Sequence, residues 1–162
     1  MIIRTTAKLG KKIGYKPAEI LPLDANPFVD WTADLFFADR TQYIIITNTA
    51  SLYSMTMYGR GITDDSVFLQ RALRYIIDNL HHDGFGFIAD RLIAPNTMKV
   101  FFSKSLNRAV TGSMNELIFE AKYRLENENI SPYELSLRLN EMPLSYIDHK
   151  SPREAFSKLK VV

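Results

Sequence analysis

The sequence predicts an α+β fold: an antiparallel sheet of four or five strands packed against two long helices, with shorter C-terminal helices. Three observations carry this expectation. Residues 31–57 hold three β-branched and aromatic runs separated by short polar turns, the signature of an antiparallel meander. Two segments, 63–83 and 106–126, repeat apolar residues at helical spacing,. Two later stretches, Ser131-Pro132-Tyr133-Glu134 and Ser151-Pro152-Arg153-Glu154, fit a capping box with proline at the first helical position,.

Taken in order, residues 2–5 read as a short first strand. Thr6 caps a basic helix over Ala7 to Ile13, which Gly14 ends,. Residues 15–30 carry Pro17, Pro22 and Pro27 with Asp24 and Asn26, so the spacing predicts a long irregular connection of the kind that often bears function. The strand runs follow at 32–38, 43–47 and 51–57. Tyr43 to Thr47 is apolar on both faces and is expected to be the most central strand,. Leu52, Ser54 and Thr56 share one face of the next run, and Tyr53, Met55 and Met57 the other,.

Gly59-Arg60-Gly61 makes a turn, and Thr63-Asp64-Asp65 starts a helix with acid near its positive end,. Leu69, Ala72, Leu73, Ile76, Ile77 and Leu80 form its apolar stripe, and it ends near His82-Asp83-Gly84,. Residues 85–97 read as loop or short helix, and 98–103 as another strand. In the long helix that follows, Leu106, Val110, Met114, Leu117, Ala121 and Leu125 lie on one stripe,.

Composition bounds the answer further. A chain of 162 residues, 46% hydrophobic and 23% charged, has the size and make-up of a single globular domain over 1–162,. A net charge of +2 is too small to argue for nucleic acid or an anionic membrane by itself,. With no cysteine there is no disulfide scaffold, no Cys-ligated zinc and no thiol nucleophile,. No segment reads as a secretion signal or a membrane span, so a cytoplasmic location is expected.

The stretch Lys104 to Glu116 (KSLNRAVTGSMNE) is the best candidate site. It places Lys104, Asn107, Arg108 and Asn115 around Gly112, which costs a helix interior about 1 kcal/mol relative to alanine. Arg108, Gly112, Asn115, Phe119 and Tyr123 lie opposite the apolar stripe, so this helix is expected to be contacted on a second side by another layer, a partner chain or a ligand. Lysine and arginine beside a helix start suit phosphate or carboxylate. The plainer reading is that Asn107 or Ser105 caps the helix, Arg108 pairs with Asp39 or Glu116, and Gly112 only permits close packing. Asp39-Arg40 reads as a hairpin turn, with Arg40 a further candidate for the same ligand.

The three histidines, His81, His82 and His149, do not form a metal pair at i, i+4,, and no metal or cofactor is expected. Phosphate-loop, dinucleotide and nucleophile-elbow motifs do not occur,. Gly84-Phe85-Gly86-Phe87 reads as a packed turn or a base-stacking patch,.

Several short motifs also share one likeness. These are W-x-A-x-L-F at Trp31 to Phe36, Asp39-Arg40, I-x-x-T-N ending at Asn48, and N-R-A-V-x-G-S-M-N-E at Asn107 to Glu116. With L-N-x-x-P at Leu139, Asn140 and Pro143 and the terminal S-P-R-E-A-F, the chain resembles a family of uncharacterised small bacterial proteins, a domain of unknown function with an N-R-[SA]-V-x-G-S-M-N-[DE] signature. The resemblance implies a strand–helix core and no assigned activity. Members often carry histidine after the tryptophan; Thr32 stands here, which implies a member without histidine-dependent chemistry.

The functional expectation is a small intracellular binding or interaction module whose basic-polar site (Lys104, Asn107, Arg108, Asn115 and Arg40) takes phosphate, nucleic acid or an acidic partner surface. One alternative is an enzyme acting on phosphates or nucleic acid, with Asp39 or Glu116 beside Arg108 as base or metal ligand. Another is a structural homodimer formed through Phe119 and Tyr123.

Overall fold

The computed structural model describes residues 1–162. Five strands, β1 (Ile2–Thr5), β2 (Asp30–Ala38), β3 (Thr41–Asn48), β4 (Ser54–Tyr58) and β5 (Phe101–Lys104), form one sheet in the order β4-β3-β2-β1-β5. Strands β2, β3 and β4 make the expected antiparallel meander. Strand β1 lies parallel to both β2 and β5, so the sheet is mixed. The reason is the connection from Thr6 to Val29, long enough to carry the chain back to the start of β2, as a parallel neighbour requires. This addition also makes β2, not β3, the central strand. Residues 43–47 are nonetheless buried on both faces.

Six helices accompany the sheet: α1 (Ala7–Ile13), α2 (Asp65–His82), α3 (Gly86–Ile88), α4 (Arg108–Asn127), α5 (Pro132–Leu139) and α6 (Pro152–Ser157). Caps set most boundaries. The side chains of Thr6, Asp64, Asn107, Ser131 and Ser151 each accept a hydrogen bond from a first-turn N–H,. Ser131 and Glu134 complete a reciprocal box. The Ser151 box is only half formed, because Glu154 accepts from Lys158 at 2.6 Å instead. Residues 86–96 form a chain of short helical turns, and β5 starts three residues later than the pattern predicts. None of the helices is long and apolar enough to cross a membrane.

The sheet divides two cores. Alternation sends Ile3, Trp31, Ala33, Ile44, Ile46, Met55 and Met57 to one face, where α1 and α2 cover them with Leu9, Ile13, Phe68, Ala72, Ile76 and Leu80. The other face presents Phe36, Tyr43 and Ile45 to Val110, Met114, Leu117 and Ala121 of α4 and to Leu135 and Leu139 of α5. At about 25 cal/mol per Å² of apolar surface removed from water, these layers hold the helices on.

The outer edge of β4 is closed by side chains. The Ser54 N–H donates to Asn140 Oδ1 at 2.7 Å, Asn140 Nδ2 donates to the Ser54 carbonyl at 2.8 Å, and the Thr56 N–H donates to Ser136 Oγ at 2.9 Å. Asn140 thus takes the place of a sixth strand at an edge that would otherwise invite pairing.

Candidate functional site

Strands β1 and β5 end level, with Thr5 opposite Lys104. From there the chain departs in opposite directions. After β1 it enters α1 on the Trp31 face, and after β5 it enters α4 on the Phe36 face. Adjacent parallel strands whose continuations diverge leave a crevice outside their carboxyl ends, the place where open α/β sheets hold ligands. Here the crevice has a volume of about 700 Å³ and is bounded by the Thr5–Ala7 corner, the far side of α1, residues 14–17 and 20, and Lys104-Ser105.

Local sequence builds each wall. Gly14 takes a left-handed conformation at φ 67° and ends α1,. The chain then folds back under the helix, and the Tyr15 N–H donates to the Gly10 carbonyl at 3.1 Å. A Cβ on Gly10 would stand 2.8 Å from the Tyr15 carbonyl oxygen, so this close approach needs glycine. The loop then runs along the free side of β5, where the Lys104 N–H donates to the Glu19 carbonyl at 3.0 Å. Tyr15 leans on Phe102 with ring centroids 4.5 Å apart.

The crevice is electropositive. Lys11, Lys16 and Lys104 line it, no carboxylate does, and none of the three takes part in an ion pair. Like charges on low-dielectric walls focus the field outward. The first 18 residues hold five of the 20 basic residues and none of the 18 acidic ones, so the remainder of the chain is formally −3. Thr6, on the wall, donates its hydroxyl to the buried carboxylate of Asp34 at 2.6 Å. Thr5 is 3% exposed, and its Oγ1 has no hydrogen-bond partner.

Of the five ligand-binding candidates read from the sequence (Lys104, Asn107, Arg108, Asn115 and Arg40), only Lys104 lines this crevice. Asn107 is the cap of α4, its Oδ1 accepting from the Val110 N–H at 3.0 Å. Arg108 and Asn115 are exposed on α4, and Arg108 pairs with neither Asp39 nor Glu116. Asp39 and Arg40 form the two-residue turn between β2 and β3, both with positive φ (47° and 63°), as such hairpins require. Thr5 pairs with Ala33 and the turn begins after Ala38, so Arg40 projects about 17 Å past the ends of β1 and β5 at strand rise. No hydrogen bond or ion pair joins Arg40 to Lys104, Asn107, Arg108 or Asn115.

Of the second bodies expected against α4, a further layer of this chain is not there. No atom lies within 4 Å of the point where a Gly112 Cβ would stand, and Phe119 and Tyr123 are 76% and 60% exposed. The glycine is not demanded by packing. Phe85 of the GFGF run does pack, edge-on to Tyr53 and Phe156, whereas Phe87 is exposed. His81 Nε2 lies 2.8 Å from Asp90 Oδ1 at the surface.

Tyr15, Lys11 and Lys16 belong to no motif that the sequence displays. The available signal was the charge run itself, four lysines between positions 8 and 16 with no acid before Glu19.

A second charged group is fully enclosed. Arg4, 0% exposed, donates Nε–H and Nη2–H to the two Asp30 oxygens at 2.8 Å each. Its remaining N–H groups donate to the carbonyls of Leu21 and Pro22 and to Ser103 Oγ. Asp30 also accepts from the Thr49 hydroxyl and the Asp24 N–H, and Thr49 is linked to Thr32 at 2.9 Å. Every donor of the guanidinium is used, which ties the 15–30 connection to the sheet. In the same way the buried Tyr53 hydroxyl donates to Asp83 Oδ2 at 2.6 Å. Burial first, and then the Asp83 carboxylate, push its ionisation well above the ordinary tyrosine range,.

No curated protein and no solved structure is similar to this chain. A family model described as a domain of unknown function (DUF6933) matches residues 2–155, which takes in every strand, the crevice and the Arg4–Asp30 pair, and the chain therefore belongs to the DUF6933 family.

Proposed function

We propose that this protein is a small binding module whose ligand is an anion held in the crevice between β1 and β5 by Lys11, Lys16 and Lys104. The observation that supports this reading is that three lysines without ion-pair partners, and no carboxylate, line one crevice at the diverging ends of two parallel strands. Structural lysines are usually solvated singly or paired; three converging on one concavity hold a field that an anion would relieve. Phosphate suits the site better than a single carboxylate, since a phosphate monoester carries about −1.5 to −2 charges and three acceptor oxygens. Arg108 and Asn115, on the exposed face of α4, are not needed for this binding. Asp39 and Glu116 lie off the crevice wall, which leaves the binding reading ahead of a hydrolytic one.

Titration of the purified protein with inorganic phosphate by isothermal calorimetry tests the proposal. Binding is expected at low ionic strength and should weaken as salt is raised. Replacing Lys11 and Lys104 together by glutamine should reduce affinity about tenfold or more, as expected for lost charge-assisted hydrogen bonds. Unchanged binding in the folded double variant, or none in the parent protein, would remove the proposal.

A further inference from the structure

The anion subsite occupies one part of a larger concavity, and the rest of the wall has different chemistry. Tyr15 is 38% exposed, with its ring tilted by 35° against that of Phe102. Pro17 and the half-exposed Ile20 extend this apolar wall along the same crevice. A volume of about 700 Å³ far exceeds what a free phosphate fills and falls within the range of sites for organic ligands of drug or cofactor size. Thr5, also on the wall, has a buried Oγ1 without a partner, and such a hydroxyl is an uncommon state in a native fold.

From these observations we infer that the crevice binds an organic phosphate with a planar ring, of mononucleotide size, its ring against Tyr15 and its phosphate among Lys11, Lys16 and Lys104. The inference rests on the anion-binding reading above and adds the aromatic half of the ligand. The lining suits one ring only, since Tyr15 is the single aromatic residue on the crevice wall. Stacking of that kind tolerates different bases, because each presents a π-face, so recognition of the class is expected without strong preference among bases.

The test compares AMP, ribose 5-phosphate and inorganic phosphate by calorimetry on the unaltered protein, then repeats the series with Tyr15→Leu. AMP is expected to bind about tenfold or more tightly than ribose 5-phosphate, the magnitude that one base–aromatic stack supplies. Tyr15→Leu should remove that advantage and leave inorganic phosphate unaffected. If AMP and ribose 5-phosphate bind the unaltered protein equally, the aromatic subsite is overturned and the anion site stands. If none of the three binds, both fail together. Because the ligand comparison is made on the parent chain, the result does not depend on how well the variant folds.

Discussion

Two groups of charge, both anchored on β1 and its neighbours, are treated in opposite ways. Arg4 sits in the middle of β1, wholly buried, with all its donors assigned to Asp30, Ser103 and two loop carbonyls. Lys11 on α1, Lys16 in the loop after it and Lys104 at the end of β5 line the crevice beyond the strand ends and take part in no ion pair. Polar groups that are saturated inside a fold hold it together, because removing one leaves its partner desolvated and alone. Charges left unpaired on a concave wall do little for stability and remain free to meet something else. Which group serves architecture and which serves recognition is therefore decided by bonding, not by residue type.

That contrast has a direct and large consequence. Arg4→Met leaves the Asp30 carboxylate buried without its counter-charge and is expected to cost about 3–5 kcal/mol, read as a lowered urea midpoint. Lys11→Met should stay within about 0.5 kcal/mol of the parent. Equal losses in the two variants would erase the distinction.

A saturated interior group that titrates sharpens the comparison. In the folded state Tyr53 keeps its proton, because burial and Asp83 favour the neutral form; in the unfolded chain it ionises near pH 10. Its contribution is thus fully present below pH 10 and is lost as pH rises further, with a slope of about 1.4 kcal/mol per pH unit. Urea unfolding of the parent and of Tyr53→Phe across this range should give the steeper decline in the parent. Parallel curves would show that the hydroxyl is not held as described.

The smallest effect tests the exposed face of α4. Gly112→Ala meets no neighbour and should raise stability by up to about 1 kcal/mol, through helix propensity and a less flexible unfolded chain. A loss of stability, or a change in sedimentation on substitution, would show that something does approach this surface, and would return Phe119 and Tyr123 to the interface reading.

The pattern of what was legible follows from range. Thr6, Asp64, Asn107 and Ser131 act on N–H groups two or three residues away, so helix starts could be read directly. The alternation of Tyr53, Met55 and Met57 against Ser54 and Thr56 is a property of the backbone repeat, so strand faces were readable as well. The propensity cost at Gly112 is no sign of packing within the chain, and only the tertiary structure reveals the open space beside it. Asn140 stands in the sequence only as part of an L-N-x-x-P motif, yet it completes a sheet edge 86 positions away.

By itself, then, the sequence determined the α+β class, the element order, the helix caps and which residues of the 51–57 run share a face, since each depends on interactions within a few residues. Only the tertiary structure decided that β1 inserts in parallel between β2 and β5, that Arg4 is an interior brace, and that Lys104 lines the same crevice as Lys11 and Lys16. Those outcomes depend on segments a hundred residues apart in the chain, whose meeting is selected by the free energy of the whole packed sheet and leaves no local periodicity to read.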